Sequence, residues 1–193
     1  MPGLQVPPGP LAGLFFLDLV VHEDAERAGG TFREVFRAEQ LEAAGAPAFH
    51  PVQWNVSESS CGTIRGIHAE PWDKLLHVIE GQVFSAVADL RRGSPTAGQV
   101  WTGVLDRTSA VLATTGLGNS FQVTSERAVV AYLASDHWRP GVAYPAVRFD
   151  DPDLAIPWPI DDERRVLSAK DRSAPSLREL WAHETSRGPV AGG

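Results

Sequence analysis

At 193 residues the chain is long enough for one domain with a full core and short of the usual size for two. A net charge of −7 argues against a nucleic-acid binder, whose contact face is normally basic, yet leaves room for a nucleotide held by one or two local Arg or Lys residues. No stretch approaches the roughly 20 apolar residues of a membrane helix, and the single cysteine, Cys61, excludes an intrachain disulfide and suits a reducing cytoplasm.

The N-terminal run MPGLQVPPGPLAGLFF has no positively charged segment and is interrupted by prolines, so it makes a poor signal peptide. Ala38 to Ala44 predicts a short helix closed by Gly45. From about residue 50 to 150 the chain reads as short strands recurring at intervals of roughly ten residues. Lys74 to Ile79 ends at Glu80-Gly81, a tight-turn signal, and Val83 to Leu90 stops at Arg91-Arg92-Gly93-Ser94-Pro95. Gln99 to Leu105, Ala110 to Thr114, Phe121 to Thr124 and Ala128 to Ala134 continue the pattern. Residues 151–160, DPDLAIPWPI, alternate Pro with apolar residues and read as an extended arm lying on the barrel. Ser176 to Trp181, after Pro175, has helical spacing, and residues 186–193 read as a frayed end. The expected fold is an all-β jelly-roll barrel with a few short peripheral helices. Residues 1–193 form one domain: N-terminal strands and helix to about 48, a barrel core over 49–150, and a C-terminal arm and helix over 151–193.

The run Ile64-Arg65-Gly66-Ile67-His68-Ala69-Glu70-Pro71-Trp72-Asp73-Lys74 is the most informative for chemistry. As a strand over 64–68 it places Arg65 and Ile67 on one face and Ile64, Gly66 and His68 on the other. Arg, His and Lys in so short a span suit an anionic ligand with a carbonyl group, and equally a salt-bridged barrel rim. Metal-holding barrels of this size usually show a His-x-His pair with a Glu a few residues on. Here His68-Ala69-Glu70 has no second His two residues away, His77 lies nine residues further, and Asn119 occupies the late-barrel position of another His. No metal site is expected.

The order of several fragments resembles the dTDP-4-dehydrorhamnose 3,5-epimerase family, cupin-type enzymes of deoxysugar biosynthesis. Those fragments are Phe32-Arg33-Glu34, Gln53-Trp54-Asn55, Arg65-Gly66-Ile67-His68, Lys74-Leu75, Arg91 to Thr96, Gly116 to Phe121, Ala131-Tyr132-Leu133, Phe149 to Pro152 and Ser168-Ala169-Lys170-Asp171. The loop from His68 to Lys74 and the run Asn119 to Val123 look like one branch in which Asn replaces a His. The resemblance implies His68 as catalytic base, Asp171 as its carboxylate partner, Tyr132 as the opposing acid and Lys74 as the cation at the enolate oxygen. It implies Arg65 at the diphosphate, and Gln53, Asn55, Phe32 and Glu34 around the nucleoside. Asn119 and the pair His137-Trp138 fall beside the sugar and base pockets. The substrate so implied is a dTDP-4-keto-6-deoxy sugar epimerised at C3, C5 or both, with no cofactor, no metal, no nucleic acid and no membrane. A homodimer with exchanged N-terminal strands is also implied, and the apolar Leu11 to Leu17 segment, which needs an edge to pair with, is compatible with it. Three stretches depart from the family pattern. Arg27 is displaced and Thr31 stands for an aromatic before Phe32, Thr114 to Gly118 lacks the usual Pro, and His137-Trp138 stands where paired aromatics are common.

Overall fold

A computed structural model describes residues 7–23 and 30–187; Arg27, at the first of those departures, lies outside them. The strands in chain order are β1 (Leu14–Asp18), β2 (Val21–Glu23), β3 (Thr31–Arg33), β4 (Gln53–Ser60), β5 (Ile64–His68), β6 (Lys74–Glu80), β7 (Val83–Asp89), β8 (Val100–Leu105), β9 (Ser109–Ala113), β10 (Leu117–Val123) and β11 (Arg127–Ala134). The helices are α1 (Ala38–Ala43), α2 (Ala169–Arg172) and α3 (Leu177–Arg187). One sheet runs β1-β9-β6-β11-β4, a second β5-β10-β7-β8, and β2-β3 forms a separate hairpin. This is the jelly-roll barrel of the cupin type.

Alternation along each strand decides what fills the barrel. Leu76, Val78, Val111 and Val130 from the larger sheet meet Val83, Val87, Phe121 and Val123 from the smaller in one buried cluster. Both sheets are also covered outside, which is why β6 and β7 read as nearly continuous apolar runs. Leu41 of α1 and Phe49 pack with Leu75 and Leu112 on the outer face of the larger sheet. Burying each such side chain stabilises the fold by about 1.5–3 kcal/mol. Helix α1 ends as its sequence predicts. Gly45 takes φ +82 and donates to Glu42 O, while Ala46 N donates to Leu41 O at 3.0 Å, which together satisfy the last carbonyls.

The 151–160 segment lies on the smaller sheet. Trp158 stacks edge-on to Phe84 at 5.8 Å, its indole N–H donates to Phe149 O at 2.8 Å, and Gln122 holds Ile160 through both of its amide atoms. Buried Asp151 accepts from Leu177 N at 2.9 Å, which docks the start of α3 beside the barrel.

The tight turn expected at Glu80-Gly81 is present, with Gly81 at φ +82, and it carries the chain from one sheet to the other. Three local features differ from the expectation. β10 begins at Leu117 rather than Phe121. A Cβ on Gly118 would lie 2.6 Å from Ile67 Cγ2, so that glycine admits a neighbouring side chain within the strand. Helix α3 continues to Arg187, into the stretch expected to fray. The apolar N-terminal strand finds its edge in its own chain, with Leu14 opposite Ala113 of β9.

Candidate active site

Side chains from both sheets line a cavity of about 540 Å³. The larger sheet sets one wall by register. Tyr132 stands opposite Asn55 on β4 and Leu76 on β6, and Ala134, two residues on, stands opposite Gln53 and Lys74. Period-two alternation therefore turns Asn55, Lys74, Leu76 and Tyr132 to the same side, and all four line the cavity.

The facing wall comes from β5 and β10, where simple alternation fails. Asn119 pairs with His68 and Phe121 with Arg65, so three steps along β5 match two along β10. The extra residue is a β-bulge, and it reverses the facing of every side chain beyond it. Arg65 and His68, expected on opposite faces, consequently line one cavity. Gly66, at φ +118, sits inside the bulge against Ser120 and Asn119.

His68 Nε2 lies 2.7 Å from Oδ1 of Asp171, whose side chain is 4% exposed against 24% for the imidazole. Asp171 is aimed by a single helical turn. Ser168 caps α2 by accepting the backbone N–H of Asp171 at 3.1 Å. Burial pushes the Asp171 carboxyl up. The hydrogen bond and charge of His68, with help from Ser168 and Lys170, outweigh it and hold the group below the usual carboxylate range. An ionised Asp171 can only accept, so Nε2 carries a hydrogen and the neutral ring presents its lone pair at Nδ1. The amide of Asn119 donates to His68 O at 2.9 Å and fixes the backbone of the same residue.

Lys74 is buried at the start of β6, paired with Glu70 and with its ammonium 5.6 Å from the centre of the Tyr132 ring. Burial lowers its pKa, the charge and hydrogen bond of Glu70 oppose that, and Lys170 adds to the lowering. Burial raises the Tyr132 phenol, the charge of Glu70 raises it further, and Arg65 opposes. The loop carrying Glu70 is pinned from two sides. Asp73 accepts from Thr115 N at 2.7 Å and its own N–H donates to Ser135 Oγ at 3.0 Å. Thr115 lies in the stretch that lacks the usual Pro, and it supplies this anchor.

Of the residues singled out from sequence, His68, Lys74, Tyr132, Arg65, Asn55, Asn119 and Trp138 line the cavity, and Asp171 stands behind His68. Gln53 sits one step back, donating to Asn55 Oδ1 at 2.7 Å and accepting from Trp138 N at 2.8 Å, so it braces the rim. His137 is exposed beside that rim, its N–H donating to Asp136. Phe32 and Glu34 lie away from the cavity: Phe32 is 62% exposed on the β2-β3 hairpin against His22, and Glu34 pairs with Arg37. Glu70 and Lys170 also line the cavity, although no motif of the sequence marks either for a role in the site. Spacing could have found both, because Glu70 is four residues before Lys74 and Lys170 adjoins Asp171.

The model for dTDP-4-dehydrorhamnose 3,5-epimerase matches residues 8–179. The chain belongs to that family. Among its relatives, a dTDP-4-dehydrorhamnose 3,5-epimerase of Pseudomonas aeruginosa is 36% identical over 158 residues, spanning 78% of this chain and 84% of that protein. A dTDP-4-dehydro-6-deoxyglucose 3-epimerase of Streptomyces bikiniensis is also 36% identical, over 174 residues and 86% of each chain. In three dimensions the chain is similar to Streptococcus suis RmlC, solved in complex with dTDP-D-xylose, with a TM-score of 0.84 and 33% identity over 93% of this chain and 94% of that one. These named epimerases are isomerases. A 3,5-epimerase and a 3-epimerase are thus among the relatives at 36% identity to this sequence.

Proposed function

We propose that this epimerase-family chain inverts C3, C5 or both of a dTDP-4-keto-6-deoxyhexose by removing and returning a proton beside the ketone. The observation that carries the reading is the opposition of two groups across one cavity. The His68–Asp171 pair belongs to the β5 side, while Tyr132 projects from β11 in the facing sheet. Inversion needs that arrangement, since a base that returns its proton to the same face only regenerates substrate.

In the proposed sequence Nδ1 of His68 takes the proton, and the C–H electron pair moves toward C4 to give an enolate. Asp171 stabilises the imidazolium that forms. The Lys74 ammonium faces the charge developing on the C4 oxygen, in a setting that water screens little. The Tyr132 phenol then delivers its proton to the opposite face, forming the new C–H bond. Solvent resets the imidazolium and the phenolate. Arg65, whose planar fork suits two phosphate oxygens, serves the diphosphate. The ketone already acidifies both neighbouring carbons, so the chemistry calls for no redox cofactor.

Enzyme and keto-sugar mixed in heavy water provide the test. Deuterium is expected at C3, C5 or both, and its absence from both carbons refutes the assignment. The number of labelled carbons separates a double epimerase from a single-carbon one, the second reading that the relative named as a 3-epimerase brings in.

The same reading includes a homodimer in the cytoplasm, the latter in keeping with the lone Cys61. Strand β4 is a sheet edge whose outward Val52, Trp54 and Val56 flank are 52%, 67% and 55% exposed. A second copy covering this edge would remove an apolar stripe from water and could bring Phe32 and Glu34 of the partner toward the nucleoside. Sedimentation at micromolar concentration should give a dimer; a monomer overturns that part.

A further inference from the structure

The proton transfers proposed above leave unused an acid that is mostly buried in the wall of the cavity. Glu70 lines the cavity with a side chain 12% exposed, and its carboxylate is paired with the Lys74 ammonium. Its backbone is held by the anchored loop: Ala69 N donates to Pro145 O at 2.9 Å and Trp72 N to Glu70 O at 2.9 Å. Asp73, one residue before Lys74, is tied to Thr115 and Ser135. The carboxylate therefore approaches Lys74 from a loop that has little freedom to withdraw.

We propose that Glu70 is a positioning residue, whose carboxylate anchors the Lys74 ammonium at the reacting carbonyl and fixes where protons reside on that wall of the cavity. The inference rests on the reading of the site under Proposed function. A buried ammonium without a partner is costly, and with its side chain 7% exposed Lys74 has little access to water. Glu70 engages one of its three N–H donors, which leaves donors for a substrate oxygen. The Tyr132 ring face at 5.6 Å borders it on the β11 side.

The charged and titratable groups around Lys74 are Glu70 from the loop, Tyr132 from β11, His68 and Arg65 from β5, Glu58 from β4 and Lys170 from α2. Among the effects acting on Lys74, burial and Lys170 favour the neutral amine, and Glu70 alone favours the ammonium. On Tyr132, burial and then Glu70 favour the neutral phenol, against Arg65. One carboxylate thus keeps the proton on both groups that the reaction needs protonated. Removing its charge moves both titrations to lower pH, so the alkaline limb of activity moves down as well.

The sequence makes the test simple, since Lys74 and Lys170 are the only lysines of the chain. Lysine labelled with carbon-13 at Cε gives two signals, and Lys74→Arg identifies that of Lys74. In the free enzyme the Lys74 midpoint should fall by about 1–3 pH units in Glu70→Gln, the range expected for loss of one close opposite charge. The alkaline limb of kcat/KM, measured by deuterium uptake into a dTDP-4-keto-6-deoxyhexose, should fall with it. Glu70→Asp keeps the charge on a shorter arm; its midpoint should stay near that of the wild type while kcat drops. An unmoved Lys74 midpoint in Glu70→Gln, or a rate lowered equally at every pH, overturns the proposal. Should the wild type fail to label any such sugar, the assigned reaction fails, whereas the lysine titration still decides whether Glu70 holds Lys74 charged.

Discussion

His68 and Asp171 are 103 positions apart in sequence and meet with Nε2 2.7 Å from Oδ1. The contact decides which ring nitrogen can act. Ionised Asp171 accepts the Nε2 hydrogen and leaves the lone pair on Nδ1, the atom proposed above as the base. Asp171→Asn keeps the size of the side chain but lets an amide N–H face Nε2, which selects the tautomer with its hydrogen on Nδ1. We expect kcat to fall by about 10²–10⁴-fold, the usual worth of a positioned general base, with dTDP affinity by calorimetry nearly unchanged. A variant that binds dTDP poorly but turns over normally would show that Asp171 serves the fold of α2 instead.

Tyr132 should separate exchange from inversion. In Tyr132→Phe the base on the facing sheet can still remove and return a proton, but nothing donates from β11. Deuterium is expected to enter the substrate with retention while epimer formation falls by about 10²-fold or more. Mass spectrometry of recovered substrate, with proton NMR of the ring couplings, reads the two events separately. Loss of both together would move the base role toward Tyr132.

Much of the barrel was legible because its strands end at Gly- and Pro-rich turns and alternate in burial. Within the site, the parts carried by regular strands were legible too, since Lys74 and Tyr132 follow period two. The parts set by irregular backbone or by distant chain were not. Alternation put Arg65 and His68 apart, and only the bulge between the Asn119 and Phe121 pairings brings them to one face. Nothing local marks Asp171 as the partner of His68; only the family resemblance paired them, and the Ser168-capped turn shows how it is aimed. The exposed Phe32 illustrates a different limit, because the resemblance placed it at the nucleoside while the fold sets it on the β2-β3 hairpin against His22, away from the cavity.

Gly66 should be the most sensitive backbone position of the site. Its φ of +118 disfavours any side chain, and a Cβ there would stand 2.5 Å from Ser120 Cβ and 2.6 Å from Asn119 O. Gly66→Ala must therefore push β5 away from β10 at the bulge that orients Arg65 and His68. We expect a loss of stability of more than about 1 kcal/mol, as for other side chains forced into such conformations. We also expect a loss of activity larger than the fraction unfolded explains. Thermal unfolding beside kcat measured well below the transition distinguishes the two, and unchanged activity would mean that β5 absorbs the strain without moving His68.

Asp89 offers a test of stability remote from the chemistry. Fully buried at the end of β7, it accepts from Arg91 N at 3.1 Å, Arg91 Nε at 2.8 Å and Thr96 Oγ1 at 2.6 Å, and also from Ser94 Oγ. Arg91 and Thr96 in turn hold Ala12, so this one carboxylate ties the N-terminal segment to the barrel. Burial pushes its pKa up, but the Arg91, Ser94 and Thr96 hydrogen bonds prevail and bring it from 3.8 down to about 2. A carboxylate whose folded pKa lies below its unfolded value stabilises fully above the unfolded value and loses that contribution as pH falls through the folded one. At about 1.4 kcal/mol per unit, the shift amounts to about 2.5 kcal/mol at pH 7. Asp89→Asn should lower the unfolding free energy in urea by about that much at neutral pH. About half of the deficit should remain at pH 3, midway through the titration window. A deficit independent of pH between 7 and 3 would show that shape at this turn, and not charge, secures the N-terminal segment.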